Sequence, residues 1–173
     1  MNTIEIFIES MKAFKDPIVV ELGTKQSVDG RSTMHRDYVP HAARFLGVDI
    51  APGKDVDFVH DVEEPLPINP HGIISCSTFE HINHPWLAAR ALTESLVKGG
   101  FIFVQTHHTF PIHAYPYDMW RFTIESLQLI FYEAGLHVIQ TQYDYPCKIV
   151  SEREPNTANH PAFLNVSLVG QKK

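Results

Sequence analysis

The feature that most constrains this chain is a succession of short, β-branched apolar runs that keep closing on glycine or a polar cluster. IVVEL (18–22) ends on Gly23, and FLGVDI (45–50) ends on Ala51, Pro52 and Gly53. VDFVH (56–60), GIISCS (72–77) and FIFVQTH (101–107) follow. Runs that are apolar throughout, rather than alternating, are what strands covered on both faces look like. Helical stripes lie between or beside them. Over residues 2–14, Ile4, Phe7, Ile8, Met11 and Phe14 recur at spacings of three and four; Asn2 or Thr3 can cap this helix, and Asp16-Pro17 stops it. A second helix is expected over 84–97, with Pro85 in its first turn, Leu87, Ala88, Ala91, Leu92 and Leu96 on its stripe, and Gly99-Gly100 at its end. A third runs from a Thr123 cap to Ala134, with Gly135 as its stop. Residues 25–40 are polar and only weakly helical.

Strands that alternate with helices imply a mostly parallel central sheet with helices on both faces. The last two strands, LHVIQTQY (136–143) and FLNVSLVG (163–170), alternate and are too close for a helical crossover, so an antiparallel strand is expected at the C-terminal edge. One connection is irregular. Residues 51–55 alone separate the second and third runs, whereas a parallel crossover usually takes about a dozen residues. The third run is therefore a reduced edge strand, a hairpin partner or extended chain. No repeat divides the 173 residues, which are read as one domain over 1–173.

Composition removes several function classes. Apolar residues make up 44% and charged residues 20%, enough for a core without metal or disulfide staples. A net charge of −6 speaks against a duplex-DNA binder, which needs a basic face. No apolar run reaches the ~18 residues of a membrane span, and the first residues, with acids inside the apolar pattern, do not read as a signal peptide. Cys76 and Cys147 form no C-x-x-C pair, which fits a reducing, cytoplasmic compartment.

In an open α/β sheet, ligands gather at the carboxyl ends of the strands. Those ends carry Glu21 and Gly23, then Asp49, then Asp61 and Val62, then Ser77. Gly23 permits a sharp turn and a close ligand approach. Asp49 can accept both hydroxyls of a ribose. No G-x-G-x-x-G follows the first strand, which disfavours a dinucleotide or nucleotide-sugar enzyme.

In order and spacing, VVELGT, GVDI, DVEEPLP, FEHINHP and SLVKGGFIFVQT resemble the class I S-adenosylmethionine-dependent methyltransferases, and most of all the type 11 branch, over residues 17–150. A subset of that branch found with glycan-modifying enzymes carries a Pro-x-His-x-x-Pro-x-Asp-x-x-Arg-x-Thr loop, present here as Pro111, His113, Pro116, Asp118, Arg121 and Thr123. The resemblance implies a Rossmann-like fold, S-adenosyl-L-methionine as cofactor, and methyl transfer to a small-molecule or glycan-type acceptor. It places Glu21 and Gly23 under the methionine end of the cofactor, Asp49 on the ribose, Asp61 and Val62 at the adenine, and Ser77 near the sulfonium. Two departures stand out: Lys25 occupies the family's second loop glycine, with Gly30 left to recover a turn, and no helix follows the second strand. These departures favour the alternative of a degenerate, non-catalytic binding module.

Eleven histidines call for an explanation. His113 is the expected general base, since an imidazole titrates near neutrality. His81 reads as a residue that pins a loop. His107, His108 and His113 suggest a metal, but no compact H-x-x-x-H pair supports one, and no metal site is expected. Residues 108–122 are too long and too aromatic for a plain connection, so an ordered lid over the acceptor is expected. An Asp118–Arg121 pair would staple it, and Tyr115, Tyr117, Trp120 and Phe122 would pack it.

Overall fold

A computed structural model describes residues 1–113, 116–150, 153 and 161–173. Tyr115, expected to pack the lid, lies outside the described residues. The elements run α1 (Thr3–Met11), β1 (Ile18–Leu22), β2 (Arg44–Asp49), β3 (Phe58–Val59), β4 (Gly72–Cys76), α2 (Pro85–Ser95), β5 (Phe101–His107), α3 (Ile124–Glu133), β6 (Leu136–Cys147) and β7 (Ala162–Lys172). Short 3₁₀ turns at Arg36–Tyr38 and Phe79–His81 sit between them. The helix starts follow the cap chemistry of the sequence. Asn2 accepts from the Glu5 N–H while Glu5 accepts from the Asn2 N–H, and Thr123 and Ser126 do the same for α3.

All seven strands form one sheet in the order β3-β2-β1-β4-β5-β7-β6. The first five pair in parallel, and β7 is antiparallel to both β5 and β6. This is the expected mostly parallel sheet, with one refinement. The C-terminal strand is not the edge: β7 inserts beside β5, and β6 takes the edge. Burial explains the order. Residues 165–170 of β7 are all buried, whereas β6 is half-exposed along most of its length.

The sheet is covered on both faces. On one, Phe7 and Met11 of α1 pack with Val19, Ile74, Phe103 and Val169. On the other, Ala88 and Leu92 of α2 and Leu127 and Phe131 of α3 pack with Val20, Ile73, Ile102 and Leu168. Fully buried Phe79 joins this second core from the turn after β4. No helix among the described residues is long and apolar enough to cross a membrane.

The irregular connection resolves as a reduced parallel edge. β3 is two residues long, and no helix intervenes between it and β2. Residues 50–57 make the crossover by direct backbone and side-chain bonds: the Asp57 carboxylate accepts the Gly47 N–H at 2.7 Å, and the Asp57 N–H donates to the Gly47 carbonyl at 2.9 Å. The connection also knits to the loop after β1. Thr24 Oγ1 donates to the Asp55 carbonyl at 2.8 Å, and the Gln26 side-chain amide donates to the Asp55 carboxylate at 2.7 Å. A side chain at Gly47 would meet the Asp55 carbonyl oxygen at 2.0 Å, so the loop lies flat against the strand only because residue 47 is glycine.

Candidate functional site

A cavity of about 1010 Å³ opens at the carboxyl ends of the parallel strands. Gly23 after β1, Asp49 at the end of β2, His60 after β3, Ser77 after β4 and His107 at the end of β5 all line it. Asp61, Val62 and His113 line it too. The topology accounts for this convergence, since the chain leaves every parallel strand at the same end of the sheet. A smaller hollow of about 420 Å³ lies beside the start of β2 against Arg36 and Phe45, away from these strand ends.

Each expected cofactor residue has a defined local role. Gly23 has a φ of +69°, which suits glycine. Its missing side chain makes room for the protein itself, because a Cβ there would meet Thr78 Oγ1 at 2.3 Å. Asp49 holds the loops around it: its Oδ2 accepts the Lys25 N–H at 3.0 Å, and its Oδ1 accepts the Ala51 N–H at 3.1 Å. Each oxygen keeps a lone pair for a ligand. Asp61 accepts the Glu63 N–H in a tight turn. Ser77 stands at φ +51°, an unusual conformation for a non-glycine residue, with its Oγ 3.4 Å from His107 Nε2.

Glu21 is engaged within the protein. Its carboxylate is buried and taken up by His35, accepting that residue's N–H at 2.7 Å and lying 2.5 Å from its Nδ1. It ties the 25–40 segment to β1 and does not line the cavity. The reason is position in the pleat: Glu21 sits one residue before the strand's end, and Gly23 and Thr24 carry the chain over the rim. Lys25, the departure in the loop, lays its stem across Gly53, where a Cβ would meet Lys25 Cγ at 2.7 Å. Gly30 does recover a turn, at φ +74°, with the Arg31 N–H donating to the Val28 carbonyl.

At the other end of the cavity, three histidines gather around one acid. Glu80 is fully buried, and its Oε2 accepts from Thr106 Oγ1 at 2.7 Å. Its Oε1 lies 3.0 Å from His107 Nδ1, 3.8 Å from His81 Nε2 and 4.0 Å from His113 Nε2. The His107 contact is close but misaligned, and both Glu80 Oε1 and His107 Nδ1 are left without a hydrogen bond. Burial pushes the Glu80 carboxyl up, but His107 and the Thr106 hydroxyl outweigh it and hold the group below its ordinary range. Phe110 stacks on the His107 ring at 3.9 Å.

Residues 110–113 and 116–122 lie over this cluster. Arg121 grips Asp118 with two nitrogens, at 2.5 and 2.7 Å, and donates to the carbonyls of Phe110, Pro111 and Trp120. Asp118 in turn accepts the His113 N–H at 2.9 Å. The Arg121 fork, helped by that N–H, holds the Asp118 carboxyl far below the usual carboxylate range. The expected pair is present, with both residues in the loop before α3 rather than at a helix start. The Met119 and Trp120 N–H groups donate to the Glu80 carbonyl, and Trp120 Nε1 donates to the Ile82 carbonyl, so the loop is fastened to the turn after β4. Sequence spacing hid Glu80 and His107 as members of one site, because they are brought together only by the pairing of β4 with β5.

No protein-family model and no curated protein matches the chain. Solved structures do. An S-adenosylmethionine-dependent methyltransferase from Mesorhizobium loti aligns over 98% of this chain and 100% of its own, with a TM-score of 0.65 and 13% identity. The 1,6-didemethyltoxoflavin-N1-methyltransferase of Burkholderia thailandensis, solved with its substrate and S-adenosylhomocysteine, aligns over 99% of this chain and 76% of its own, with a TM-score of 0.68 and 14% identity. This is the class I methyltransferase fold. That fold also carries other chemistry: the [4+2]-cyclase SpnF aligns over 98% of this chain and 79% of its own, with a TM-score of 0.67 and 12% identity.

Proposed function

We propose that the cavity binds S-adenosylmethionine and that the chain transfers its methyl group to a small acceptor, of the glycan type if the 111–123 loop resemblance holds. One observation carries the reading: the strand-end residues Gly23, Asp49 and Ser77 open into the same cavity as the buried Glu80–histidine cluster. The residues present fit the cofactor. The cavity, about 1010 Å³, sits at the upper end of ordinary ligand pockets and has room for a nucleoside, an amino-acid tail and an acceptor. Asp49 offers two carboxylate oxygens for ribose hydroxyls, and Asp61 with half-buried Val62 offers an acceptor and an apolar edge for adenine.

The cofactor supplies a methyl group already activated on a sulfonium. The protein's part is alignment and the acceptor's proton. Asp49 and the loop bonds it makes to Lys25 and Ala51 set the nucleoside end. His113 serves the acceptor end. Its Nδ1 faces the Pro111 carbonyl at 3.3 Å and Asp118 Oδ2 at 3.2 Å, so in the neutral ring Nε2 is the atom that takes the acceptor's proton. Phe110, stacked on His107, and the loop fastened by Arg121 border that end.

Calorimetric titration with S-adenosylmethionine, S-adenosylhomocysteine and NAD tests the reading. The first two should bind one to one and NAD should not. Binding of both without turnover on any acceptor would favour the non-catalytic alternative. Binding of neither would refute the proposal.

A further inference from the structure

Glu80, His81 and His113 form a donor set that methyl transfer as described above does not require. One carboxylate oxygen and two imidazole nitrogens lie within 4.8 Å of one another. The hydrogen-bond pattern behind each ring orients it. His81 Nδ1 is 2.6 Å from the Tyr117 carbonyl oxygen, and His113 Nδ1 is 3.2 Å from Asp118 Oδ2 and 3.3 Å from the Pro111 carbonyl oxygen. Carbonyl and carboxylate oxygens only accept, so each Nδ1 carries a hydrogen, and in the neutral ring each Nε2 then carries the lone pair. The two Nε2 atoms lie 3.8 and 4.0 Å from Glu80 Oε1, which is fully buried and has only the misaligned His107 contact at 3.0 Å.

The turn after β4 supplies two of these donors and the loop after β5 the third, and together they form a geometry that a cation can occupy. The Tyr117 carbonyl behind His81 and the Pro111 carbonyl behind His113 are acceptors of the kind that supports metal-bound imidazoles, and Asp118 Oδ2 also lies 3.2 Å from His113 Nδ1. Glu80 is anchored through its other oxygen by Thr106, so Oε1 is aimed rather than mobile.

We propose that Glu80 Oε1, His81 Nε2 and His113 Nε2 form a binding site for a divalent transition-metal ion of the zinc class, with an open coordination position toward the cavity. Two imidazoles and one carboxylate are a donor set suited to such an ion, and three protein ligands leave a fourth position for an exogenous oxygen. Ligand bonds of about 2.0–2.2 Å in a tetrahedral arrangement put donors about 3.4 Å apart. The carboxylate-to-imidazole separations here are 3.8 and 4.0 Å and all three donors lie within 4.8 Å, so closure takes side-chain rotations that draw them together. The backbone already supports the set. Glu80 and His81 are neighbours on the 3₁₀ turn after β4, and Arg121 and Asp118 hold the His113 segment against that turn. Resting on the proposed reaction, the open position would take an oxygen of the acceptor. In the loaded protein His113 is a ligand, and the ion does the polarising that the bare imidazole would otherwise do by hydrogen bonding.

A second cluster, Glu21, His35 and Cys76, has comparable spacing. It is the weaker candidate, because its carboxylate is already paired with His35 and burial holds the Cys76 thiol well above its ordinary range, so that it stays protonated.

The test uses the whole chain, stripped with chelator and without cofactor. Zn²⁺ is titrated against a chromophoric competitor, and Co²⁺ is followed by absorption. The expected result is one ion per chain, visible Co²⁺ bands without a thiolate charge-transfer band, and at least a tenfold loss of affinity in both His81→Ala and His113→Ala. His35→Ala should bind as the parent does. Thermal unfolding of each variant checks that the fold survives. Absence of saturable binding would overturn the proposal, as would affinity unchanged in both histidine variants or a thiolate band pointing to Cys76. Metal binding is read without S-adenosylmethionine, so its failure and a failure of the cofactor reading are seen separately.

Discussion

Replacing Arg121 by alanine is the sharpest test of how the loop over the site is held. Arg121 bonds both oxygens of Asp118 and three main-chain carbonyls. The Asp118 side chain is 3% exposed and the Arg121 side chain 28%. Removing one partner of a fully buried pair costs about 3–5 kcal/mol, and an exposed pair is worth about 1 kcal/mol or less. This pair lies between those limits. Water can reach the vacated guanidinium site, and His113 still contacts Asp118, so the expected loss is about 2–3 kcal/mol. For a chain of this length each kcal/mol shifts Tm by about 2–4 °C, which gives a fall of about 4–12 °C. Urea and thermal denaturation measure it. Arg121→Lys should recover little, because an ammonium cannot make the bidentate contact. The pair also has an acid limb. Because Asp118 is depressed in the folded state, its stabilisation is complete above the unfolded carboxylate value near ~3.9 and is lost as pH falls below it. The alanine variant should therefore lose stability less steeply than the parent through that acid range. An Arg121→Ala protein within about 0.5 kcal/mol of the parent, the range of ordinary surface substitutions, and with unchanged amide protection at His113 and Phe122, would refute this account of the loop.

Three further perturbations separate structure from binding. Gly23→Ala combines a strained positive φ with a clash against Thr78, each of order 1–3 kcal/mol; Thr78→Ala in the same chain should relieve the clash and leave the strain, as a double-mutant cycle in denaturant would show. Lys25→Gly should leave S-adenosylmethionine affinity equal or better in calorimetry, because Lys25 holds its loop position through its main chain and its stem rests on Gly53; a large loss would make Lys25 itself a ligand contact. His113→Ala should lower turnover and spare cofactor affinity; an equal loss in both would place His113 on the cofactor instead.

Much of the fold was legible because the local and global signals agree. Apolar runs without alternation marked the buried parallel strands, and the caps at Asn2 and Thr123 marked two helix starts. The insertion of β7 between β5 and β6 was not legible, because the last two runs both alternate and only the finished sheet decides which is buried more deeply. The site divides in the same way. Strand-end position located Gly23, Asp49, Asp61, Val62 and Ser77 at the cavity, since topology alone takes them there. Glu21 lies one residue inside the strand end, and its carboxylate meets His35, a partner in a segment with no periodic pattern that sequence spacing could reveal. The grouping of Glu80 with His81, His107 and His113 is a tertiary product of the β4–β5 pairing and the fastened loop, and no spacing along the chain encodes it.

The most direct measurement is a crystal structure of the protein with S-adenosylhomocysteine. The account predicts ligand density in the strand-end cavity, with ribose hydroxyls at hydrogen-bond distance, about 2.5–3.0 Å, from the Asp49 carboxylate and the sulfur directed toward the His113 end. Density absent at saturating ligand, or a ribose bound away from Asp49, would contradict it.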